Sequence, residues 1–198
     1  MRFKTFRHFK TIVKHKYWVG KYCFMCGIPW QGITHDLSKF SPAEFIESIK
    51  YYQGTTSPID AAKKDKGYSR AWMHHKGRNR HHYEYWQDNF DKGGESLIMP
   101  YEYAVELLCD YLGAARTYMG KKFTYKSEYQ WWRNKIENPI AMHPAIMSFI
   151  DYMLFLLSTC KNDKETKVFL NKYYCYSVYK MMVNDYRGYY VYMIGGIL

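Results

Sequence analysis

The sequence predicts an all-α protein. Apolar residues recur at three- and four-residue spacings in one stretch after another, and prolines and glycines fall at the boundaries of those stretches. Only the Tyr-rich "YYVYMI" near the end has any look of a strand. At 198 residues the chain has the length of one domain with room for a sizeable core, and it shows no fixed-period repeat and no internal linker. A single domain over 1–198 is expected, with 160–198 as a helical extension.

The elements follow in order. "RFKTFRHFKTIVKHKYWVGKYCFMCG" places Phe3, Phe6, Phe9, Ile12, Val13, Tyr17 and Val19 at helical spacing with basic residues between them, and Gly27 can end that helix. A short second helix after Pro29 is expected to carry "QGITHDLSKF". Ser41, Pro42 and Glu44 then supply a cap, a first-turn proline and an early acid for a helix through about Gln53. "GTTSPIDAAKKDKG" reads as a loop with at most one helical turn. "YSRAWMHHKGRNRHHYEYWQDNF" reads as two helical pieces hinged near Gly77. The clearest helix runs from Pro100 to Met119 and stops at Gly120. Further helices are expected at roughly 126–137, 144–160 and 163–182.

Composition narrows the function classes. The chain is 20% aromatic, with 22 tyrosines, which suits a packed protein and not a disordered one. A formal charge of +11 favours anionic partners: phosphorylated small molecules, nucleic acid or acidic lipid. The five cysteines are odd in number and no apolar leader precedes them, so a reducing cytoplasm is expected. "AIMSFIDYMLFLLSTC" is too short for a bilayer and carries Asp151, so it reads as a core helix and no transmembrane segment is expected.

The chemistry lies in the histidines. Four of eight fall within nine positions, as the pairs His74-His75 and His81-His82, and an adjacent His35-Asp36 stands upstream. Imidazole suits iron, manganese, zinc and related ions, and carboxylates suit the harder ones. Asp110 shares a helical stripe with Tyr103, Leu107, Ala114 and Thr117, so it is expected to point inward, where a buried carboxylate needs a partner. Asp151 is the reserve for that role. His143 precedes Pro144 and reads as a helix cap. His8 lies seven before His15 but very near the start of its helix. Cys23 and Cys26 lack a second pair at zinc spacing and read as core.

The order His15, His35-Asp36, the two His pairs, then Asp110 resembles the HD-domain superfamily, helical metalloproteins many of which are phosphohydrolases. The resemblance implies an HD-like bundle of about seven to eight helices. It implies Asp36 as a bridge, with His15, His35 and Asp110 on one ion and one His from each pair on a second. His75 and His81 are favoured, with His74 and His82 as alternates. "HDLSK" is also similar to the HD-x-x-K element of di-iron HD oxygenases, in which the lysine helps to hold substrate. Lys39, four residues beyond His35, would share its face in a helix. Most of the chain further resembles a bacterial, mainly Firmicutes, family of uncharacterised proteins, through "HFKTIVKHK", "GITHDLSKFSPAEF", "YYQGT", "AWMHHKGRNRHHYEYW" and "MHP".

These readings lead to a metal-dependent phosphohydrolase acting on an anionic, nucleotide-like small molecule. One or two divalent ions are expected, iron or manganese first and zinc, magnesium or cobalt after them. Asp36 and Lys39 would be catalytic, and Lys39, Lys76, Arg78 and Arg80 would hold phosphate. One alternative is a di-iron oxygenase at the same site. The other is a non-enzymatic nucleic-acid-binding protein with a structural metal, since a basic, aromatic-rich surface suits that partner too.

Overall fold

A computed structural model describes residues 2–195. Among them are ten α-helices: α1 (Arg2–Met25), α2 (Pro29–Thr34), α3 (Pro42–Tyr51), α4 (Pro58–Lys66), α5 (Arg70–Lys76), α6 (Tyr101–Met119), α7 (Tyr125–Ile136), α8 (Pro144–Thr159), α9 (Asp163–Phe169) and α10 (Lys172–Gly195). The all-α expectation holds, with more helices than the seven or eight expected. Proline opens α2, α3, α4 and α8 because its fixed φ suits a first turn whose N–H needs no partner.

Four expectations about these elements need correction. The stretch read as a loop contains α4, because Ser57 caps it by accepting from the Ile59 N–H and Gly67 closes it at φ 78°. The second helical piece expected after Gly77 does not form. That chain takes a 3₁₀ turn at Tyr83–Tyr85 and then a two-stranded antiparallel hairpin, β1 (Gln87–Asp88) and β2 (Glu95–Ser96). The helix expected over 163–182 is split, because the Asn171 side chain accepts from the Tyr174 N–H and starts α10 afresh. The "YYVYMI" segment lies in α10, so it is no strand.

The core joins α1, α6, α7, α8 and α10. Tyr22 and Val19 of α1 meet Leu107, Leu108 and Leu112 of α6, while Phe149, Ile150, Met153 and Leu157 of α8 pack beneath them with Trp132 of α7. Cys23, Cys26, Cys109 and Cys175 are buried in this core as free thiols. Asp151 is not a ligand: its Oδ1 accepts from Trp132 Nε1 at 3.0 Å and from Arg133 at 3.1 Å.

Two close approaches position the site. A Cβ on Gly113 would lie 2.4 Å from Val19 Cγ2 and 3.0 Å from Val19 N, so α6 and α1 touch where only glycine fits. Val19 is one turn past His15 and Gly113 one turn past Asp110, so this crossing brings those two side chains together. A Cβ on Gly32 would likewise lie 3.0 Å from Gly20 Cα, which seats α2 on α1 and delivers His35 to the same place.

Glu128 of α7 makes the core sensitive to pH. Burial pushes its carboxyl from the usual 4.5 up to about 8, with Lys135 pulling down and Asp110 adding to the rise. Between pH 4.5 and about 8 the folded chain therefore keeps a proton that the unfolded chain has lost, and stability falls as pH rises through that window. Thermal melts across that range should show a falling Tm for the wild type and a flatter profile for Glu128→Gln.

Candidate metal centre

The metal-ligand type residues reach the centre from several parts of the fold. His15 comes from the middle of α1 and Asp110 from α6. The His35-Asp36 doublet does not sit within a helix, as expected, but in the break after α2. Asp36 adopts the left-handed conformation at φ 55°, which aspartate tolerates better than most residues, and a 3₁₀ turn at Leu37–Phe40 follows. This kink turns both doublet side chains inward, leaving His35 and Asp36 each 1% exposed. The same break removes the helical argument for Lys39. Its ammonium instead reaches back three residues to Asp36 Oδ2.

The two oxygens of Asp36 face two sets of groups. Oδ2 lies 3.3 Å from His15 Nε2 and 3.2 Å from His35 Nε2, and those imidazoles lie 3.1 and 3.6 Å from Asp110 Oδ1. Oδ1 lies 3.1 Å from His75 Nε2 and 3.5 Å from His81 Nε2. Among the described residues three groups are able to hold a metal ion, and two of them share Asp36: His15, His35, Asp36 and Asp110 form the first and Asp36, His75, His81 and His82 the second, while His35, His81 and Glu106 form the third, on the far side of the two imidazoles. Both histidines of the 81/82 pair thus belong to the second group. His74 does not: its Nδ1 bonds Glu44 Oε1 at 2.7 Å, away from Asp36.

Two glutamates back the imidazoles. Glu106 Oε1 sits 2.8 Å from His35 Nδ1 and 3.1 Å from His81 Nδ1, and Glu44 Oε2 sits 2.7 Å from His75 Nδ1. A carboxylate at Nδ1 holds the ring proton there and leaves the Nε2 lone pair free. Neutral rings so held would turn lone pairs toward the Asp36 and Asp110 oxygens, acceptor against acceptor, an arrangement that a cation relieves. His81 Nε2 and His82 Nε2 are buried with no hydrogen-bond partner among the described residues. The donor set therefore fits a divalent metal of the nitrogen- and oxygen-loving kind.

The protonation balance points the same way. Burial alone would raise the Asp36 carboxyl, but His35, Lys39 and His75 outweigh it and hold Asp36 well below the usual carboxylate range. Asp110 is lowered in the same way by His15 and His35. Burial would lower His35 and His75, yet the facing carboxylates raise both, so protons occupy the centre where ions could replace them. Burial keeps His82 neutral, with the charges of His81 and His75 adding to the effect.

The centre opens on a cavity of about 180 Å³ whose lining includes His8, Thr11, His15, Lys39, Trp72 and Tyr118. Lys39 is its only lysine or arginine among the described residues. Lys76, Arg78 and Arg80 do not line it. Arg78 and Arg80 are exposed, and Arg80 points to the Tyr103 hydroxyl at 3.4 Å, because the chain after Gly77 turns that segment outward. His8 is in the wall, 4% exposed, with neither ring nitrogen hydrogen-bonded among the described residues. Burial first and Lys39 second lower its pKa to about 4. His143 is the cap of α8, accepting from the Ala145 N–H.

Sequence reasoning passed over Glu44, Glu106 and the cavity role of His8. Glu106 had a signal, since it precedes Asp110 by one helical turn on the same face. His8 had one in its seven-residue spacing from His15. Glu44 was read only as an early acid, whereas it is buried and holds two histidines.

Fold and site together define a helical protein with two adjoining buried histidine and carboxylate sets, either able to hold a metal ion, at the base of a small cavity. The chain belongs to a family of unknown function (DUF5662), whose model matches residues 4–155 and so includes every residue of both sets. No curated protein and no solved structure matches it.

Proposed function

We propose that this chain is a metal-dependent phosphohydrolase of the HD type, acting on a small phosphorylated, nucleotide-like molecule with two divalent ions, iron or manganese, shared across Asp36. What supports it is the division of the Asp36 carboxylate between two ligand sets. Bound there, divalent ions lower the pKa of a coordinated water and polarise a phosphoryl oxygen.

The chain's own residues do the rest. Glu106 and Glu44 keep the ring protons of His35, His81 and His75 on Nδ1, so each Nε2 is presented ready to bind. Lys39 stays charged, since Asp36 and Asp110 outweigh the burial that would lower it, and it places an ammonium at the cavity wall for phosphoryl oxygens. With Lys76, Arg78 and Arg80 outside the cavity lining, phosphate binding falls to Lys39. Trp72, Ile12 and Ile59 exclude water around the organic part, and neutral His8 offers it one donor and one acceptor. The five unbridged cysteines favour a reducing compartment, the cytoplasm, as the place of action.

The test is elemental analysis of protein purified without added metal, followed by phosphate release from a panel of nucleotides and sugar phosphates, with oxygen uptake recorded alongside. About two equivalents of metal and chelator-sensitive phosphate release are expected. Oxygen uptake without phosphate release would replace hydrolysis with the oxygenase reading. Protein that takes up no metal even on anaerobic reconstitution would remove both.

A further inference from the structure

The outer face of α1 has no part in the metal centre, and its composition differs sharply from the rest of the chain. The first 35 residues hold seven lysines and arginines and no aspartate or glutamate. On the solvent side of α1, Phe6, Phe9, Val13 and Tyr17 form an exposed stripe at helical spacing. Phe9 touches the ring of Phe40 at 5.8 Å, and Lys16 donates to the Ile33 carbonyl, so the stripe continues onto exposed Ile33 and Leu37 of the neighbouring segment. Arg7, Lys14 and Lys21, spaced by seven, line one side of it. Single exposed apolar residues are ordinary, but a contiguous field of them edged by one sign of charge marks an interaction surface.

We infer that this face is a docking surface for an anionic lipid bilayer, with α1 lying in the interface plane. Charge complementarity selects the occupant: a basic edge beside an apolar stripe matches anionic headgroups above an acyl boundary, and Tyr17 and Trp30, 62% and 68% exposed, are of the types that favour that boundary. Nucleic acid fits less well, because Val13, Ile33 and Leu37 have no face on which a base can stack. A second copy of the chain fits less well too, since a two-fold contact would set one basic edge near the other. No helix among the described residues is long and apolar enough to cross a membrane, so the association is with the surface. The opposite face of α1 supplies His8, Thr11 and His15 to the cavity wall, which would set the cavity close behind the bound face.

Flotation of the full chain with vesicles tests the inference. Binding is expected to phosphatidylcholine vesicles containing phosphatidylserine, to weaken with salt, and to be absent with phosphatidylcholine alone. Arg7→Ala and Lys21→Ala should each weaken it about fivefold. Val13→Asp combined with Ile33→Asp should abolish it while Tm and circular dichroism stay those of the wild type, since both side chains are exposed. Failure to bind the anionic vesicles would overturn the inference. So would an oligonucleotide bound more tightly than the vesicles and unaffected by the aspartates, or a wild-type dimer that the aspartates convert to monomer.

Discussion

Asp36→Ala is expected to reduce bound metal from about two equivalents to near zero and to lower phosphate release by about a thousandfold or more, because both ligand sets lose their shared carboxylate at once. Metal analysis and a phosphate assay on the same preparation measure the two effects together. The variant also places alanine at φ 55°, which costs about 1 kcal/mol, so a modest drop in Tm accompanies the loss. Asp36→Asn separates these causes. Asparagine tolerates the left-handed backbone and keeps the shape, but its carboxamide offers a single acceptor oxygen. About one equivalent of metal should remain, with activity lost. Full metal content in Asp36→Asn would show that the carboxylate is not shared between two ions.

Glu106 carries the second large effect. It touches no cavity surface, yet one of its oxygens holds the Nδ1 protons of His35 and His81, one from each ligand set. Removing a carboxylate behind a metal-binding imidazole usually costs 10- to 100-fold in metal affinity. Glu106→Ala strips two imidazoles together, so about 100-fold is expected, read by competition with a chelator. Glu106→Gln can keep a carbonyl oxygen facing both N–H groups but loses the negative charge, and about tenfold is expected. Equal affinities in wild type and Glu106→Ala would reduce Glu106 to a packing role. Glu44→Gln should cost less, because only one of its two histidine partners, His75, belongs to a ligand set.

Much of the architecture was open to reading because its signals are local. Pro42 and Pro144 begin helices and Gly120 follows one, since each acts through its own φ or its missing N–H. The failures are also local in cause. Charged "DAAKKDK" has no apolar stripe to announce α4, and its cap at Ser57 is a single side-chain bond. The stretch after Gly77 keeps helical composition but is drawn into turns and a hairpin by its contacts, among them Trp86 Nε1 donating to the Arg80 carbonyl and Gln87 Nε2 to the Ala141 carbonyl.

For the centre, the sequence by itself determined the kinds of donor and roughly where they stand: His15, His35-Asp36, the two His pairs and Asp110. Ionisable residues among apolar ones need partners, and that need shows in one dimension. Only the tertiary structure decided how they meet. The glycine crossings of α1 with α6 and α2 bring His15, Asp110 and His35 together, and the left-handed Asp36 divides its oxygens between two sets. The turn after Gly77 sends His81 and His82 inward and Arg78 and Arg80 out. Glu44 became visible as a support only there, because a glutamate's usual place is in water; for Glu106 the one-turn spacing from Asp110 hinted at an inward face, but only the fold showed the two imidazoles that it holds.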